Sequence, residues 1–80
     1  MNFQELHDCL AEQVASRVRN GELTERGLAR RAGLSQPHLH NVLKGKRYLS
    51  LQSADLVLRE LGISILDLVR SGGRKDHKPR

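Results

Sequence analysis

Residues 32–47 read AGLSQPHLHNVLKGKR: a small-residue turn, a short polar run threaded with aliphatic side chains, and a closing cluster of positive charge. Wound at 100° per residue, Leu39, Val42 and Leu43 share an arc of about 100°. Pro37, His40, Asn41 and Lys44 point the opposite way, and Gln36 stands on the flank at the exposed N-terminal tip. The spacing therefore predicts a helix with an apolar back and a front of hydrogen-bonding groups. Ser35 is placed to cap it, Pro37 fits its first turn because the missing N–H falls where helical amides have no partner, and Gly45 closes it.

Working outward, Gly33 supplies a left-handed turn between this helix and a preceding one, which Thr24 caps and whose Leu28, Ala29 and Ala32 share a face. Further upstream, Asn2 and Glu5 have the spacing of a reciprocal cap. They precede an apolar series of Phe3, Leu6, Leu10, Val14 and Val18, so a first helix is expected over about residues 3–19, ended by Asn20-Gly21. Downstream, Ser50 caps a fourth helix with Leu51, Ala54, Val57, Leu58 and Leu61 on its inner side, stopped by Gly62. Ser64 and Asp67 open a short fifth helix to about Arg70. The expectation is an all-α fold, a bundle of five short helices over residues 1–70, followed by a disordered basic tail, 71–80, too polar to bury anything.

Composition agrees. Phe3 and Tyr48 are the sole aromatics among 80 residues, so the core is aliphatic, and a chain of this size buries only roughly 60–65% of its unfolded surface. A deep catalytic cavity has no room. Cys9 is alone, which excludes an internal disulfide and a multi-cysteine zinc site; a small, half-buried side chain is its expected role. His38 and His40 lie about 200° apart around their helix, without a cysteine or carboxylate at ligand spacing, so no metal or other cofactor is expected. No phosphate-binding glycine loop, nucleophile elbow or paired-acid arrangement marks an enzyme. No apolar run approaches a membrane span of about 20 residues, and the acidic start does not resemble a secretory signal, which makes the cytoplasm the expected location.

The net charge of +5 is unevenly spread. Residues 26–47 hold six basic and no acidic side chains, and the last ten hold four basic and one acidic. That is the footprint of a face that meets a polyanion. The front of the helix over 35–44 suits duplex DNA, because the amides of Gln and Asn can match adenine's N6 and N7, a histidine donates or accepts according to tautomer, and a lysine reaches guanine or phosphate.

Two short helices, a glycine turn and an acid-free basic stretch spanning both are the parts of a helix-turn-helix unit. Over residues 23–69 the chain resembles the lambda-repressor and Cro-like helix-turn-helix family, typified by the small Xre regulators. The resemblance is carried by Leu28-Ala29, Ala32-Gly33-Leu34-Ser35-Gln36, Leu39, Gly45-Lys46 and Leu61-Gly62-Ile63. It implies that residues 24–31 support and residues 35–44 read, with Gln36, Pro37 and Asn41 at positions that face bases; His40 joins them from the helical wheel. His38 is open between phosphate contact and packing. Phosphates are expected on Arg26, Arg30, Lys44, Lys46 and Arg47, together with amides at helix starts. Arg31 is a weaker candidate, pointing partly toward the third helix.

Three positions depart from the family's pattern. Glu25 stands where a glutamine often contacts phosphate, and a carboxylate there repels DNA unless it turns away. Gly27 lies inside a helix, and Leu49 replaces a common proline. The function implied is a sequence-specific DNA-binding transcriptional regulator, a repressor and homodimer on a palindromic operator. The alternative is an antitoxin or adaptor-type module whose main partner is another protein such as a toxin, held by the first or fifth helix. Ile65, Leu66 and Val69 either form a dimer seam or pack on the first helix. Nonspecific RNA binding is a further alternative, and the tail is either a basic arm or a solubilising end.

Overall fold

Five polar side chains, each placed just ahead of a helical run, set the helix starts in the computed structural model, which describes residues 2–70. Helix α1 spans Phe3–Arg19, α2 Glu25–Arg31, α3 Gln36–Leu43 and α4 Leu51–Leu61; α5 covers residues 65–70. At α1 the Asn2 side chain accepts the Glu5 N–H at 2.8 Å while the Glu5 carboxylate accepts the Asn2 N–H at 3.2 Å. Thr24, Ser35 and Ser50 accept the N–H three residues on in the same manner. Ser64 and Asp67 make a second reciprocal cap at α5. Each satisfies amides that the helix itself leaves unpaired.

The turn from α2 to α3 depends on Gly33, whose φ of 73° an L side chain adopts only with strain. It lets Leu34 N–H reach Ala29 C=O at 2.8 Å and Gly33 N–H reach Arg30 C=O at 3.3 Å, which satisfies the last carbonyls of α2 within two residues. The same pair of bonds ends α3, where Lys46 N–H meets Asn41 C=O and Gly45 N–H meets Val42 C=O.

The core is aliphatic. Leu10 and Val14 from α1, Leu28 and Ala29 from α2, Ala32, Leu39 from α3, Val57, Leu58 and Leu61 from α4 and Leu68 from α5 form one buried cluster. Val42 is buried beside it, and Leu43 packs against its edge. Leu28 and Leu39 are fully enclosed, so the two halves of the turn are locked to each other through the core rather than across their outer surfaces. Helix α3 packs on both α1 and α2, while α4 backs α2.

One expectation of the apolar pattern fails. Phe3 and Leu51 continue the inner stripes of α1 and α4 in sequence, yet each is 76% exposed. Both are the first residue of their helix, beyond the reach of the facing elements, so periodicity places them on the right side without a partner to cover them. In α5 the burial falls on Leu68, whereas Ile65, Leu66 and Val69 remain exposed. Cys9 is half-buried. Among the described residues no helix is long and apolar enough to cross a membrane. The tail over residues 71–80 lies outside the described residues.

Candidate nucleic-acid interface

Helix α3 is held by its back. Leu39 and Val42 are buried, and the Ser35 hydroxyl accepts the His38 N–H at 3.2 Å, with Pro37 in the first turn. Gln36, Pro37 and His40 are thereby exposed, and Asn41 and His38 are half-buried. The structure brings all four base-facing candidates, Gln36, Pro37, His40 and Asn41, onto one short helix whose orientation the core dictates.

The basic candidates flank this helix on two sides. Arg26 and Arg30 are exposed on α2; Lys44 caps the C-terminus of α3, and Lys46 and Arg47 follow it, all exposed. Among the described residues no carboxylate pairs with any of these five. By contrast, Arg19 meets Glu12 at 3.1 Å, Arg59 meets Asp55 at 3.3 Å and Arg17 approaches Glu22 at 4.0 Å. The cations beside α3 are without an internal carboxylate, whereas Arg17, Arg19 and Arg59 each have one.

Arg31 belongs to the second group. Its Nε lies 2.8 Å from Glu60 Oε1 on α4, so it ties α2 to its backing helix. The partner was legible from neither spacing nor pattern, because 29 residues separate the two.

Glu25 resolves differently from a bare repulsive charge. Its Oε1 lies 3.2 Å from Nδ1 of His40, across the gap between α2 and α3. The carboxylate is thus engaged by a side chain of α3. Gly27, the other departure in α2, sits against the cap: a Cβ there would stand 3.0 Å from Thr24 Oγ1, the same hydroxyl that accepts the Gly27 N–H.

A second surface lies on the side built by α1, α4 and α5. Phe3, Leu6, Tyr48, Leu51 and Ile65 line an open apolar groove of about 550 Å³. At its rim His7 accepts the Leu49 N–H through Nε2 at 3.0 Å and meets the Tyr48 ring edge-on, with centroids 5.0 Å apart. Burial lowers the His7 pKa below the ordinary 6.5, against an opposing pull from Asp8. Among the described residues no three histidine, cysteine or carboxylate groups gather to hold a metal ion.

No curated protein and no solved structure matches the chain. A helix-turn-helix family model matches residues 15–68, from the second half of α1 into α5. That span contains the cap of α2, the Gly33 turn, the whole of α3 and its flanking cations. With two thirds of the chain matched and every part of the unit in place, the protein belongs to the Xre and lambda-repressor-like helix-turn-helix family, a class of double-stranded-DNA-binding regulators.

Proposed function

We propose that the protein is a sequence-specific transcriptional repressor that holds a two-fold-symmetric operator as a homodimer, with α3 in the major groove. The observation that carries this is the division of labour on α3. Its back is sealed in the core, so its front presents Gln36, Pro37, His40 and Asn41 in one orientation. Groups so held can discriminate base edges, since hydrogen bonds to bases depend on position as well as on chemistry. Arg26, Arg30, Lys44, Lys46 and Arg47 bind phosphates on either side and set the register.

The homodimer reading draws on the apolar groove and the exposed Ile65, Leu66 and Val69. Contiguous exposed apolar surface on a small protein marks an interaction site, and a dimer that holds two half-sites places equivalent α3 helices about 34 Å apart, one turn of DNA. The same groove favours a second reading, an antitoxin or adaptor that binds a different protein there. The two are compatible, because the groove and α3 occupy different sides of the bundle.

Selection from a randomised duplex pool tests the proposal, followed by binding of the winner and a scrambled duplex at two salt concentrations. A two-fold-symmetric winner whose advantage survives higher salt is expected. Binding without enrichment that vanishes as salt rises would reduce the interaction to counterion release and turn attention to a protein partner.

A further inference from the structure

Glu25 stands out because it places a carboxylate at the edge of a surface that otherwise offers only cations and neutral polar groups. It is also well anchored. It opens α2 directly after Thr24, whose hydroxyl accepts the Gly27 N–H at 3.0 Å and whose carbonyl accepts the Leu28 N–H at 3.0 Å. Leu28 itself is fully buried. His40 is rooted equally well on α3, its carbonyl accepting the Lys44 N–H at 3.1 Å while its neighbour Leu39 is fully buried. The side chains that meet between these roots are unequally exposed, 24% for Glu25 and 51% for His40. The imidazole is the more accessible member of the pair.

A carboxylate offers only acceptor positions, whereas a neutral imidazole carries one proton that can reside on either ring nitrogen. The 3.2 Å contact reaches Nδ1, so the proton belongs on Nδ1, where it donates to Glu25. Nε2, on the far side of the ring, is left with its lone pair. Resting on the DNA-reading assignment of α3, we infer that Glu25 is a specificity-determining positioning residue: it holds His40 as the Nδ1–H tautomer and makes Nε2 a hydrogen-bond acceptor. The chemistry then names the orientation of the base pair. An acceptor in the major groove matches the exocyclic amine of adenine N6 or cytosine N4 and is mismatched to guanine O6 and thymine O4, which are acceptors themselves. Without Glu25, either tautomer satisfies the ring, and the position can be read as donor or acceptor.

The test has a spectroscopic and a binding arm. Long-range ¹⁵N–¹H spectra of the wild-type protein at pH 8, above the range in which an ordinary imidazole titrates, should show protonated-type Nδ1 and unprotonated-type Nε2 at His40. The reverse assignment, or protons on both nitrogens, would overturn the inference without any variant. In the binding arm, the base pair at which His40→Ala relaxes preference defines the His40 position, and inverting that pair, which moves the exocyclic amine to the other strand, should weaken wild-type binding and leave His40→Ala indifferent. Glu25→Met, which removes the acceptor, should cut discrimination at that pair about fivefold to tenfold and leave the Asn41-dependent pair unchanged; Glu25→Gln, which keeps an acceptor oxygen, should restore most of it. In a His40→Ala background Glu25→Met should change no preference. Ratios between duplexes are compared because loss of a negative charge raises affinity for all DNA. If the wild type enriches no sequence, the DNA-reading assignment falls and this role falls with it. An enriched site whose preference ignores Glu25→Met, or weakens equally at every pair, removes only the role of Glu25.

Discussion

The α2–α3 face and the α1–α4–α5 groove are built from helices of the same aliphatic composition, yet they treat their large side chains in opposite ways. On the first, Leu28, Leu39 and Val42 are wholly withdrawn and the outside is left to amides, imidazoles and unpaired cations. On the second, Phe3, Tyr48, Leu51 and Ile65 stay in contact with water. Exposed polar groups lose little, because water satisfies them; exposed apolar area forgoes roughly 25 cal/mol for each Å² left uncovered. A face of the first kind is complete until a charged ligand arrives, and one of the second kind gains most from another apolar surface.

The largest effect should come from removing what both faces share. Leu28→Ala should cost about 2–5 kcal/mol in urea denaturation, since a fully buried leucine leaves a cavity when truncated. A loss below about 1 kcal/mol would mean that the α2–α3 lock does not depend on the core. On the polar face, two substitutions should separate reading from holding. Asn41→Ala should relax preference at one or two base pairs by about 1–3 kcal/mol, whereas Lys46→Ala should weaken matched and scrambled duplexes alike and lower the salt slope by about one unit. Equal losses on every duplex for Asn41→Ala, or an unchanged slope for Lys46→Ala, would erase the distinction between the two groups.

Ile65→Lys addresses the groove. It should leave the helical content intact, because Ile65 is more than half exposed, and shift sedimentation toward the monomer. An unaltered association state would detach the groove from the homodimer and favour a different protein as its occupant. The smallest effect concerns acid. His7 has a lowered pKa in the folded protein, so unfolding takes up a proton as pH falls through the imidazole range. Its contribution is fully present above pH 6.5, the unfolded value, and is lost as pH falls from there through the lower folded one. Urea midpoints at pH 7.5 and 5.5 should therefore differ more for wild type than for His7→Gln, which cannot protonate. Equal differences would show that the burial of His7 has no bearing on acid stability.

Every helix start was legible because a cap is a local device. Asn2 with Glu5, Thr24, Ser35, Ser50, and Ser64 with Asp67 lie within three residues of the amides they satisfy, and the glycine stops operate at equally short range. The front and back of α3 followed from periodicity for the same reason. Less could be read of what those faces meet. Periodicity assigned Phe3 and Leu51 to the inside because it knows the side of a helix and not where the neighbouring element ends.

What the sequence by itself determined, then, is the succession of helices, the glycine turn, the basic stretch and the set of side chains on the outer face of α3. Each follows from interactions spanning a few residues, whose energies do not depend on the rest of the chain. Only the tertiary structure decided that Glu25 engages His40, that Arg31 is taken by Glu60, and that His7 holds the Leu49 amide 42 residues away. Those pairings depend on the angles at which helices pack, and those angles are set jointly by Leu10, Leu28, Leu39, Val57 and the other buried side chains, so no short stretch of the sequence contains them.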